Sequence, residues 1–391
     1  MNEAFITPGN LAWARTRAGL SAEELAAKQH VPAEKLLGWE RGEARPSLRQ
    51  AEALATHLHV PVGYLFLSTP PVESPAIPDF RSGYAGRGKG LSLELRDVID
   101  EAQRRQDAYR DIIEEDGAEL LPFIARFDAR GDPAEIAADM RVTLGIGEDF
   151  PRHSRDWRDH LGRLARAAED AGILVFRSGI VGSNSHRRLS TEEFRGFVLS
   201  DDLAPIIFIN AADYKAAQIF TFAHELAHLW LGESGISNQG VDGFTRDADA
   251  AVERLCDKAA AEFLVPVDSF IDNWKRDADP VAELQRLARF YRVSAIVILR
   301  RAYELGLVGK GQFISLLEEA RGFRSEHDER SEEGGGDFYA TLGVRNGERF
   351  TSVILGALRG GRLLYREAAL LLDVHPSTLG SLEVRRAGQV S

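Results

Sequence analysis

The stretch IFTFAHELAHLWLG, residues 219–232, constrains this chain more than any other, because it places His224 and His228 four apart within an otherwise apolar run. On an α-helix that spacing puts both imidazoles on one face, within reach of a single tetrahedral ion; on a strand they would stand too far apart. A helix is therefore required here, and Phe222, Leu226 and Leu229 are available to pack its remaining surface. Glu225, one step from the first histidine, is placed to take a proton from a water that zinc acidifies to a pKa of about 7.

A catalytic zinc takes a third protein ligand and keeps one position open. The segment AVERLCDKAAAEFLVP, residues 251–266, offers Glu253 and Asp257 four apart on a second helix that Pro266 stops. Glu253 is the expected third ligand, and Asp257 the expected acceptor that orients a ligand imidazole through its other ring nitrogen. Asp249 and Glu262 compete for these roles. Just before the histidine helix, GILVFR, FRGFVLS and APIIFIN are short, β-branched and aromatic, with Asp201 and Asp202 as a turn. They predict a small antiparallel sheet, with APIIFIN as an edge along which an extended peptide adds. No residue stands out as an oxyanion stabiliser; Tyr214, Tyr291, Arg300 and His186 are the polar candidates in this region.

At 391 residues the chain is long enough for two or three domains. With 44% hydrophobic and 28% charged residues it has a globular composition. It holds no apolar run of the roughly 20 residues a membrane span needs, and MNEAFITPGN lacks a signal-peptide pattern, so a cytoplasmic protein without membrane partners is expected. A single cysteine, Cys256, excludes an internal disulfide and a thiolate cluster, leaving histidine and carboxylate for any metal. The net charge of −12 argues against a surface that grips nucleic acid throughout.

Residues 1–67 read as a five-helix unit in which GLSAEELAAKQHVPAEKLLGWERG carries the turn of a helix-turn-helix, with Ser21 and Ser47 as N-caps. Its basic and acidic residues balance at seven each over residues 1–70, and Ala33 and Glu34 open the recognition helix. Lys35, Arg41 and Arg45 are the candidate DNA contacts, with protein docking or autoinhibition as the competing role. The expected organisation is a helix-turn-helix domain (1–67), a Pro/Gly-rich linker and helical arm (68–145), an α+β zinc domain with a helical extension (146–322), a charged flexible linker (323–337) and a C-terminal helical domain (338–391), making the chain mainly α. Two further bihelical patterns, VAELQRLARFYRVSAIVILRRAYELGLV and RLLYREAALLLDVHPSTLGSLEVRR, are expected to be packed helical hairpins.

A histidine helix followed by a glutamate helix is the arrangement of the gluzincin peptidases. Beyond that, IFTFAHELAHLWLGESGIS, VERLCDKAAAEFLVP, LARFYRVSAIVILRRAYELGLV and PDFR, behind an XRE-type helix-turn-helix, resemble the ImmA/IrrE family of bacterial and phage zinc metallo-endopeptidases. The resemblance implies His224, His228 and Glu253 as zinc ligands and Glu225 as catalytic base. It also implies a protein substrate, a repressor encoded nearby, with a toxin partner in antitoxin-like fusions and DNA as a partner of the N-terminal domain. The chain departs from the commonest family form at Cys256 and Ala259, both packing positions.

Overall fold

The computed structural model describes residues 3–71, 91–237, 250–328 and 338–387. The chain forms two compact units, residues 1–76 with 86–97, and residues 77–85 with 98–391. Of the expected linkers, PDFR and most of the charged 323–337 stretch lie outside the described residues.

The first unit contains α1 (Pro8–Arg17), α2 (Ala22–Lys28), α3 (Ala33–Arg41) and α4 (Leu48–His57), closed by a 3-10 turn at Val62–Phe66 where a fifth helix was expected. Reciprocal capping boxes fix two of the starts: Ser21 with Glu24 at α2, and Ser47 with Gln50 at α4. His30, at φ 53°, makes the turn between α2 and α3, and Leu11, Leu25, Leu36, Trp39 and Leu54 fill the core beneath it.

A long helix, α5 (Leu93–Glu115), buries Leu95, Val98, Ile99, Ala102, Tyr109, Ile112 and Ile113, the apolar stripe its sequence spacing predicts. In the second unit α6 (Pro133–Thr143) and α7 (Trp157–Asp170) precede β1 (Leu174–Ser178), a ribbon of β2 (Ile180–Val181) and β3 (Asn184–Arg188), then β4 (Gly196–Leu199) and β5 (Ile206–Asn210). There follow α8 (Lys215–Leu231), β6 (Gly235–Ser237) and α9 (Ala250–Leu264).

The four-stranded sheet has the order β1-β5-β4-β6. It is mixed rather than wholly antiparallel: β4 runs antiparallel to both neighbours, while β5 pairs in parallel with β1. The β4–β5 hairpin inserts β5 between β4 and the earlier β1. All five residues of β5 are buried, and its unbroken IIFIN run lacks the alternation of a half-exposed strand. The expectation that this segment is an exposed edge is therefore corrected; among the described residues the edges of this sheet are β1 and β6.

The sheet is covered on both faces. Val175, Val198, Ile207 and Ile209 join Ile219, Phe222, Ala223 and Leu226 of α8 in the main core. Phe197 and Phe208 stack at 4.8 Å on the opposite face, where Phe176 meets Phe350 edge-on. Nearly all of α8 is buried, and its end is made by Gly232 at φ 70°, with the backbone N–H groups of Ala125 and Phe127 donating to Leu229 and Trp230 carbonyls.

The helical remainder comprises α10 (Val267–Asn273), α11 (Pro280–Tyr291), α12 (Ala295–Glu304), α13 (Lys310–Asp328), α14 (Phe338–Asn346), α15 (Glu348–Arg359), α16 (Tyr365–Leu371) and α17 (Pro376–Ala387). Both bihelical patterns form hairpins with a left-handed residue at or near the turn, Arg292 before α12 and Asp373 before α17. No described helix is long and apolar enough to cross a membrane.

Candidate metal centre

Helices α8 and α9 pack against each other and bring together three of the sequence-predicted residues. His224, His228 and Glu253 are all buried, and their ligand-type atoms lie within 4.8 Å of one another. The two Nε2 atoms are 3.1 Å apart, His224 Nε2 is 3.3 Å from Glu253 Oε2, and His228 Nε2 is 3.1 Å from Glu253 Oε1. Tetrahedral zinc with bonds of 2.0–2.1 Å requires donors separated by about 3.3 Å. The three donors are thus spaced as edges of one zinc tetrahedron. Moreover, the buried Glu253 oxygens make no well-formed hydrogen bond despite these short distances, as lone pairs aimed at a shared ion would not. The residues present fit zinc.

Asp257, one turn beyond Glu253 on α9, places Oδ1 3.0 Å from His224 Nδ1. That contact fixes the tautomer in which Nδ1 donates and Nε2 carries its lone pair toward the other donors. Burial opposes charge on His224, but Glu253 and Asp257 outweigh it and hold the imidazole pKa well above its ordinary value. His228 is shifted the other way by burial. Burial also opposes ionisation of Glu253, yet the two imidazoles prevail and hold its carboxyl at about 2.

Glu225 lies on the same helix, fully buried, with neither oxygen in a well-formed hydrogen bond. Burial pushes its carboxyl up to about 8, against the pull of the His224 charge and with added repulsion from Glu253; the Ser237 hydroxyl also favours the charged form. Its room comes from Gly196 in β4, where a Cβ would stand 2.8 Å from Glu225 Oε1, 2.7 Å from Thr221 Cγ2 and 3.0 Å from the Phe208 carbonyl oxygen. Gly196 pairs with Ser237 across β4 and β6, so two strands wall the carboxylate. Sequence reasoning missed both residues. A lone glycine inside FRGFVLS signals close backbone approach; nothing local singles out Ser237.

The remaining candidates lie elsewhere. Glu262 pairs with Arg301 and accepts from the Val267 N–H, and Asp249 lies outside the described residues. Tyr214 caps the start of α8, ten residues or about 15 Å of helix from His224. The Tyr291 hydroxyl is bonded to Ser269 at 2.9 Å beside Phe270, His186 is exposed in the β2–β3 ribbon, and Arg300 sits on α12. In the helix-turn-helix unit Lys35 lies over the Trp39 ring at 5.7 Å. Arg41 is held by Glu34 and Glu43 at 2.8 Å each, and Arg45 stacks on Phe5 near Glu3. Two of these three cations are thus engaged by acids of their own unit.

No curated protein matches the chain. Residues 9–63 match a helix-turn-helix domain family, and residues 168–303, spanning β1 to α12 and every residue of the centre, match the M78 peptidase family as an IrrE N-terminal-like domain. The chain is therefore a fusion of an N-terminal helix-turn-helix domain with an IrrE N-terminal-like domain of the M78 peptidase family.

Proposed function

We propose that the protein is a zinc-dependent regulatory endopeptidase of the cytoplasm that hydrolyses a peptide bond in a repressor or other regulatory protein. The observation that carries this reading is the convergence of His224, His228 and Glu253 donors at zinc spacing beside the fully buried side chain of Glu225. Zinc held by His224, His228 and Glu253 would supply Lewis acidity to the scissile carbonyl and the attacking water. Glu225 in its ionised form, which the His224 charge and the Ser237 hydroxyl favour, accepts the proton of that water and returns it to the leaving amine. Asp257 keeps His224 in the tautomer that binds metal. Gly196 and Ser237 hold Glu225 in a wall without displacing it. An extended substrate adding to the sheet would do so beside this wall at β6, since β5 is interior.

Glu225→Gln keeps the shape and removes the base. Co-expressed with repressors encoded beside its gene, this variant should lose cleavage by on the order of 100-fold or more while keeping zinc. Cleavage at the unmodified rate refutes the role of Glu225.

The helix-turn-helix match favours a second reading, in which the chain is a transcriptional regulator or antitoxin whose zinc site is structural, sensory or inactive. The net charge of −12 suits a basic toxin partner. Operator binding that falls steeply with salt and survives Glu225→Gln distinguishes it.

A further inference from the structure

The second unit holds a cavity of about 1030 Å³ that the metal centre does not use, bounded by α7 and β1 on one side and α14, α15 and α17 on the other. Its walls are strongly cationic. Arg158, Arg163 and Arg166 line it from α7, Arg177 from β1, Arg359 from α15 and Arg385 from α17.

Four acids share the wall, and three are already engaged. Asp159 accepts from the Arg155 backbone and pairs with its guanidinium. Glu348 is 3.5 Å from Arg166. Glu169 faces the first turn of α15, accepting from the Arg349 N–H at 3.3 Å, and burial pushes its carboxyl up to about 7, which weakens it as a counter-ion at neutral pH. With Glu383 the wall holds four acids against six arginines, so cationic side chains stay in excess.

Arg177 is the telling residue. It sits on a strand of the sheet, partly buried, and burial lowers its pKa against the opposing charges of Glu169 and Glu348, yet it makes no side-chain hydrogen bond or close ion pair with any described residue. Arg163 is similar: its guanidinium lies over Phe150 at 5.4 Å, and its buried Nε has no partner. A desolvated guanidinium is costly unless something offers it oxygens. Its planar fork matches phosphate oxygens two at a time, and several forks around one volume match a ligand with several such groups. The volume is at the upper end of the roughly 300–1,000 Å³ of small-molecule sites, enough for a nucleotide-sized ligand.

We propose that this cavity binds a small molecule carrying more than one phosphate group, held by Arg177 and Arg163 at its inner wall and by Arg158, Arg166 and Arg359 nearer its mouth. The site is independent of the metal centre and of the peptidase reading.

Isothermal titration of the full chain with sodium pyrophosphate, ATP and, at matched ionic strength, sulfate tests this. Because pyrophosphate chelates metal, the protein is first stripped with EDTA. Pyrophosphate and ATP should bind one to one, with sulfate at least tenfold weaker. Arg177→Gln, and separately the exposed pair Arg158→Ala with Arg166→Ala, should each weaken binding at least tenfold. The exposed pair keeps the test decisive if the strand variant fails to fold. Absence of saturable heat overturns the proposal, as does affinity unchanged in the exposed pair. Duplex DNA that binds through the same arginines when pyrophosphate does not would also overturn it, in favour of a nucleic-acid surface.

Discussion

Replacing Gly196 with alanine tests how closely the sheet and the metal helix must approach. Its φ lies outside the left-handed region, so the substitution adds no backbone strain, and its whole effect comes from space. The new methyl would lie 2.7 Å from Thr221 Cγ2, 2.8 Å from Glu225 Oε1 and 3.0 Å from the Phe208 carbonyl oxygen. Carbon–carbon contacts are optimal at about 3.5–4.0 Å, so β4 and α8 must part by roughly 1 Å. Overpacking of this kind costs about 2 kcal/mol, which lowers the melting temperature by roughly 4 °C for a domain of this size. A displacement of Glu225 by roughly 1 Å should reduce peptide hydrolysis on the order of 100-fold. Zinc content should hold, because none of the three atoms nearest the added methyl belongs to His224, His228 or Glu253. Adding Thr221→Ser removes the nearest methyl and should restore part of both losses. Differential scanning calorimetry and cleavage assays on the single and double variants read the effect. A Gly196→Ala protein that melts within about 1 °C of the original and cleaves at the original rate refutes the close approach.

Other expectations follow from the same geometry. Asp257→Asn weakens the acceptor that orients His224 and should lower zinc affinity about 10–100-fold in competition with a chelator; unchanged affinity contradicts the positioning role. His160 is bonded to Ser154 at 2.9 Å, and burial, with Arg292 and Arg163 nearby, depresses its pKa to about 4. The unfolded chain therefore binds more protons than the folded one between pH 6.5 and 4, and stability falls as pH drops through that window, by at most about 3 kcal/mol. His160→Gln should flatten that part of the denaturation profile, and an unaltered slope assigns it to other groups.

Much of the site was legible because its information is local. The spacing of His224 and His228 demands a helix, and the spacing of Glu253 and Asp257 demands another, so only the docking of α8 on α9 remained to be found. Glu253, the expected third ligand, faces the imidazoles, whereas its competitor Glu262, more than two turns later, turns to Arg301. The capping boxes at Ser21 and Ser47 were likewise readable from three-residue spacings. What the sequence concealed is long-range. The position of β5 inside the sheet depends on pairing with β1, some thirty residues earlier, although its uninterrupted apolar run hinted at burial on both faces. Ser237 reaches Glu225 only through the pairing of β6 with β4. The engagement of Arg41 by Glu34 and Glu43 was within reach, since those acids are near neighbours in sequence, and it removes much of the free positive charge expected of a reading helix.

The central claim is that His224, His228 and Glu253 form one zinc site, and metal content tests it most directly. Purified protein measured by inductively coupled plasma mass spectrometry should carry close to one zinc per chain. The His224→Ala, His228→Ala double variant, folded by circular dichroism, should carry none. Protein that stays folded and zinc-free when zinc is supplied, or a double variant that keeps its zinc, would contradict the account.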